Sequence, residues 1–175
     1  MIEGHLIFNG SSRLLKMYIK GAEDLGKPDG LLHTVFCHDV GVNDATITAG
    51  EDAYGSKCKC PPGTNYLVGT PMPCATRNED GTVTRHNDDD QAYGCWFIPL
   101  GDSDQHSFEL HGRAGIGIHG GGSDLPDPFA LPNQGWEYTF GCLRLQNADL
   151  ENTLVPFVNF IHEHVGVVKL DVVWP

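Results

Sequence analysis

The chain has 175 residues, 40% hydrophobic and 19% charged, which fits one globular domain that buries its own core and excludes a disordered segment. Eleven Lys and Arg against 23 Asp and Glu leave a formal charge of −12, so there is no basic patch for nucleic acid and no attraction to anionic lipid. With 22 glycines and 11 prolines the chain turns too often for a helical bundle, and strands joined by irregular loops are expected.

The N-terminus, Met1 to Phe8, is too short and too mixed for a signal peptide, and no run of about 18 apolar residues marks a membrane span. Residues 5–20 read as a hairpin, because two strand-like runs flank Asn9-Gly10-Ser11-Ser12. A polar loop follows over 21–30, and then a strand from Leu31 to Val42. Residues 43–62 are turn-rich, and Tyr66-Leu67-Val68 makes a short strand ending at Gly69. From Cys74 to Gln91 the chain is polar and acidic and reads as a surface excursion with a hairpin turn at Asp80-Gly81. Its acidic run, Asp88-Asp89-Asp90, lacks the spacing of an EF-hand and reads as a solvated loop.

Tyr93 to Leu100 is apolar and reads as a buried strand. Phe108–His111 and Gly115–His119 make two short strands or one broken one, and residues 120–140 form a long loop. Asn147 to Val165 is the best helical stretch, with Asn147 as its cap and Asp149 and Glu151 near its positive end. Leu150, Leu154, Phe157, Val158 and Ile161 recur at spacings of three and four. Pro156 should break or kink this helix, giving a short helix and then a second one starting near Val155. Val167 to Val173 closes the chain as a strand, and there is no internal repeat or interdomain linker.

The chemistry centres on Cys142. A cysteine also serves as a small buried hydrophobe, but this one follows Gly141 in a turn where the N–H groups of Gly141 and Cys142 can face a developing oxyanion. A thiol near neutral pH is only slightly ionised and needs a base. His119, at a strand end before three glycines, is the preferred one, with His111 as competitor. The other five cysteines, Cys37, Cys58, Cys60, Cys74 and Cys95, are compatible with one or two disulfides or with buried thiols. Cys58, Cys60, Cys74, His86 and Cys95 make a poor zinc set, because Cys-Lys-Cys is too tight a spacing. The glycines at 120–122 lack the lysine and helix of a phosphate loop.

Ile118-His119-Gly120 and Thr139-Phe140-Gly141-Cys142-Leu143-Arg144 together resemble the two signature segments of the L,D-transpeptidase catalytic domain, the YkuD-like family. The segment Pro61-Pro62-Gly63-Thr64-Asn65-Tyr66, the N-terminal hairpin and the start of the helix at Asn147 are also similar to that family. The resemblance spans the chain as a single domain, 1–175, with residues 72–92 as a surface insertion. The family commonly carries histidine two positions before the cysteine, where this chain has Phe140.

The resemblance implies a mainly β, sandwich-like fold with a helix following the cysteine turn. It implies that Cys142 attacks a carbonyl of a peptidoglycan stem peptide, that His119 moves the proton while a backbone carbonyl orients its ring, and that Gly141 helps hold the oxyanion. Arg144 would bind a stem carboxylate or brace the turn, and Trp136 and Tyr138 would wall the groove or pack in the loop. Thr139 and Gly120, which flank the pair, complete the expected substrate-binding set. No cofactor is needed. D-Alanine would leave, and an amine or water would resolve the acyl-enzyme, in the periplasm, the cell envelope or outside the cell. Two alternatives share the sequence: a delivered antibacterial effector of the same family, with an immunity protein as partner, and a wall-binding module without catalysis.

Overall fold

A computed structural model describes residues 1–38, 60–86, 91–102, 109–110, 113–136, 139 and 141–173. Strands β1 (Glu3–Asn9) and β2 (Leu14–Lys20) pair as an antiparallel hairpin in which alternate residues are buried. The turn does not run through a left-handed Gly10. Asn9 Oδ1 accepts from the Ser12 N–H at 3.0 Å and the Ser12 hydroxyl at 3.2 Å, and the residue with positive φ is Arg13. Strand β3 (Gly30–His38) pairs with β2, and the expected continuation to Val42 lies outside the described residues.

Then come β4 (Gly63–Val68), β5 (Met72–Pro73) and a hairpin of β6 (Ala75–Arg77) and β7 (Val83–Arg85). Its turn falls at Asp80-Gly81, as expected, where Asp80 Oδ1 accepts from the Thr82 N–H at 2.9 Å and the Thr82 hydroxyl at 2.6 Å. Strand β8 (Trp96–Gly101) precedes a small hairpin of β9 (Glu109–Leu110) and β10 (Arg113–Ala114). The chain continues through β11 (Gly117–His119), β12 (Leu143–Leu145), the helical segment and β13 (Val167–Val173).

Among the described residues, the main sheet runs β11-β12-β3-β2-β1-β13-β4-β8-β5, and β8 also pairs back to β11. Eight of the nine strands therefore form a closed, barrel-like sheet where two facing sheets were expected. Closure removes the free edges that an open sheet would leave. Strand β8 makes this possible by dividing one of its edges. Leu100 and Gly101 pair with β4, and Trp96 and Phe97 pair with β5. Two junctions, β1–β13 and β11–β12, are parallel.

The inner face carries Leu6, Phe8, Leu15, Met17, Ile98, Ile118 and Leu143, each fully buried. Every such side chain contributes on the order of 1.5–3 kcal/mol of burial free energy. The helical segment starts as α1 (Asn147–Asp149), widens into a π turn over Leu150–Leu154, and continues as α2 (Val155–Glu163). The Val155 N–H reaches back five residues to the Leu150 carbonyl. Pro156, which has no N–H to give, falls in the first turn of α2, so the proline shifts the helical register rather than ending it. Leu150, Leu154, Val158 and Ile161 join the same core as the barrel. Among the described residues, no helix is long and apolar enough to cross a membrane.

Candidate functional site

Strands β11 and β12 are parallel neighbours, with Ile118 opposite Leu143 and His119 opposite Arg144. Ile118 and Leu143 point into the core. Because side chains alternate along a strand, His119 and Arg144 point outward, and so does Cys142, two residues before Arg144. The next strand adds Phe97 opposite His119, and β5 adds Met72 opposite Phe97. The expected nucleophile and base thus share the outer face of one sheet, on adjacent strands.

This outer face is covered. Cys142 is 6% exposed, His119 3% and Arg144 2%. Cys142, Cys74 and Phe97 form one apolar cluster with Tyr93 against it. The His119 ring lies near-parallel to Phe97 at 6.1 Å and meets the Tyr93 edge at 5.2 Å. The stretch read as a surface insertion therefore supplies part of the roof.

The Cys142 thiol lies between two backbone groups. Its S–H donates to the Gly115 carbonyl at 3.4 Å, and its sulfur accepts from the Gly117 N–H at 3.4 Å. A donor aimed at sulfur favours the thiolate. The His119 Nδ1 lies 2.7 Å from the Gly120 carbonyl. A neutral ring held this way carries its proton on Nδ1 and leaves Nε2 as the basic nitrogen. Burial, and after it the Arg144 cation, push the His119 pKa down to about 3, against the pull of the Gly120 and Ala92 carbonyls. The ring is neutral, in the form of a base, across the physiological range.

Four of the expected site residues, Thr139, Gly141, Arg144 and Gly120, are engaged in hydrogen bonds within the protein. Thr139, expected to touch substrate, is 4% exposed. Its hydroxyl donates to the Cys142 carbonyl at 2.7 Å and accepts from the Gly141 N–H at 3.3 Å. The Gly141 N–H, expected to face an oxyanion, is thus turned toward Thr139, and Gly141 contributes its backbone freedom, with φ at +108°. Arg144 braces. Its Nη1 donates to the Gly121 carbonyl at 2.6 Å, tying the cysteine strand to the glycines after His119. Gly120 is likewise engaged, its N–H on the Tyr93 carbonyl at 2.9 Å and its own carbonyl on His119. Trp136 is 36% exposed and faces Phe36, 48% exposed, with ring centroids 6.0 Å apart. Tyr138, Phe140, His111 and Cys58 lie outside the described residues.

Other side chains that shape the site carried no signal in the sequence. Asn147 was read as a helix cap, but Gln146 holds that position without a side-chain cap bond. Asn147 instead accepts from the Gly121 N–H at 3.1 Å and donates to the Pro128 and Leu131 carbonyls at 2.8 and 2.9 Å. Gln134 Oε1 accepts from the Asn147 N–H at 2.7 Å, and its Nε2 donates to the Leu145 carbonyl at 2.8 Å. Gln146 grips Gly135 through both its N–H and its carbonyl, each at 3.2 Å, just before Trp136. Among the described residues weighed as metal ligands, Cys74, Cys95 and His86 are backbone neighbours, with the Cys74 N–H on the Cys95 carbonyl at 2.8 Å and the His86 N–H on the Cys74 carbonyl at 3.1 Å, but no three side chains gather to hold an ion. Cys60 is in the core, Cys74 lies under the roof beside Phe97, Cys95 packs with Ala75 and Phe129, and His86 bonds Thr76 and Pro73.

No known protein family matches the sequence, and no curated protein is similar to it. The fold is similar to that of the helical cell shape determining protein Pgp2 from Campylobacter jejuni, with a TM-score of 0.54 and 16% identity over 98% of this chain. A mutant of Pgp2 matches equally, with a TM-score of 0.54 and 16% identity over 97% of this chain. The chain spans about half of Pgp2, 47% and 46% of the two structures.

Proposed function

We propose that this chain is a peptidoglycan-modifying cysteine enzyme of the L,D-transpeptidase kind, with Cys142 as nucleophile and His119 as base. The observation that carries the reading is the placement of Cys142 and His119 on one face of adjacent parallel strands, with Nδ1 of the ring occupied by a carbonyl. The two motif segments and a fold shared with a determinant of cell shape support the same reading. In the reaction, His119 Nε2 takes the thiol proton while sulfur bonds to the stem-peptide carbonyl carbon. The C–N bond to D-alanine breaks, and the imidazolium returns the proton to the departing amine. An amine or water then attacks the thioester, its proton passes to His119 and on to the thiol, and Cys142 is regenerated. The substrate places the activity in the cell envelope.

The test is incubation with disaccharide-tetrapeptide, with and without a free D-amino acid, followed by mass spectrometry of protein and product. The expected result is a thioester adduct on the native protein with release of D-alanine, and neither with Cys142→Ala. An adduct persisting in Cys142→Ala sinks the reading. A second reading, a wall-binding module, is favoured by the near-complete burial of both Cys142 and His119. Saturable binding of intact muropeptide without any turnover establishes it in place of the first.

A further inference from the structure

The loop from Gly120 to Trp136 has an arrangement that neither the barrel nor the motif pair requires. Four successive carbonyls in it, those of Pro128, Phe129, Ala130 and Leu131, are each taken by a side chain from elsewhere. Asn147 takes the outer two. Arg77 takes the inner two, with Nη2 on Phe129 and Nη1 on Ala130 at 3.2 Å. Arg77 is itself held in a two-pronged ion pair, Nε to Glu151 Oε2 at 2.7 Å and Nη2 to Glu151 Oε1 at 2.8 Å. Glu151 stands four residues after Asn147 in the helical segment, so one helical surface holds the loop twice, once directly and once through Arg77. Only an arginine has the planar fork for a carboxylate and two carbonyls at once.

We propose that Arg77 is a positioning residue for the candidate site: supplied by the β6–β7 hairpin and clamped by Glu151, it fixes residues 120–136, which lead on from His119, and through them the strand that follows Cys142. The connection is continuous. The loop carbonyls tie to Asn147, Asn147 ties to the Gly121 N–H, and Gly121 ties through its carbonyl to Arg144 on the cysteine strand. At its far end the loop leads to Trp136, whose preceding residue is gripped by Gln146. The stretch that reads as an insertion is in this view part of the catalytic apparatus.

Its catalytic consequence rests on the proposed peptidoglycan reaction, but its structural consequence does not. In Arg77→Gln, hydrogen–deuterium exchange should accelerate at residues 120–136 while β1, β2 and β13 keep their protection. The acylation rate on disaccharide-tetrapeptide should fall about ten-fold or more, with little change in the half-saturating concentration, as displacement of reacting groups predicts. Arg77→Lys, which keeps the charge but not the fork, should fall between the two, and it serves where Arg77→Gln does not fold. Unchanged exchange at 120–136, or protection lost evenly over the whole barrel, overturns the proposal. A native protein that never acylates defeats the reaction, while the exchange result still decides the role of Arg77.

Discussion

At the scale of single residues, Thr139 shows how a turn can be fixed by one hydroxyl. It accepts from the N–H two residues on and donates to the carbonyl three residues on, so the backbone at Gly141 and Cys142 is held by bonds to one side chain. Gly141 between them has φ at +108°, a backbone region that a Cβ makes costly. Thr139→Val keeps the shape and removes both bonds. It should cost about 1–2 kcal/mol in chemical denaturation, the expected loss for buried polar partners left unsatisfied. If the turn also sets the thiol, acylation should slow by more than the folded fraction falls. Equal losses would make Thr139 a stability residue only.

At the scale of elements, Asn147 is the joint between helix and loop. Its three side-chain bonds all leave the helix, two to loop carbonyls and one from the Gly121 N–H. Asn147→Ala should cost about 3 kcal/mol or more, since each buried polar partner is stranded at roughly 1–3 kcal/mol. Asn147→Asp should be the worse variant. It keeps an acceptor for Gly121 but turns an anionic oxygen on the two carbonyls, and the residue is fully buried. Equal melting temperatures for the two variants would count against the bonding described.

Asn147 also marks what the sequence could reveal. The strand-like runs on either side of Asn9-Gly10 made the first hairpin legible, the run Val167–Val173 made the last strand so, and the three-and-four spacing of apolar residues marked the helix, with Val155 as the start of its second part. An asparagine before a helical run has a local meaning, the cap, and nothing nearby signals that it will serve a distant loop. Arg77 and Glu151 are 74 residues apart in the chain, and only the closed sheet brings them together. The same holds for the closure itself, because the divided edge of β8 depends on which strands arrive there. Cys142 and His119 were legible because their neighbours in sequence also make their local geometry. Thr139, Gly141 and Gly120 were recognised as belonging to the site, but their hydrogen bonds run within it and not toward a groove.

At the scale of the whole molecule, the site's burial becomes a stability that depends on pH. His119 titrates at about 3 in the folded chain and near its ordinary value, about 6.5, when unfolded. Above pH 6.5 both states hold the ring neutral, and it adds no pH dependence. Below 6.5 the unfolded chain takes up a proton that the folded chain refuses, so stability falls as pH falls, by about 1.4 kcal/mol per pH unit, until the folded pKa is reached. His162, also lowered by burial, acts in the same direction. The 23 acidic residues act oppositely in one respect, since protonating them relieves the repulsion of a chain at −12, but most of that comes nearer pH 4. The window from 6.5 to 5 therefore isolates the histidines. Urea denaturation across it should show the native protein losing stability steadily toward acid, and His119→Gln, which cannot titrate, should show a visibly flatter slope. A slope unchanged by His119→Gln would mean that the ring is hydrated in solution, and the closed arrangement around Cys142 would have to be abandoned with it.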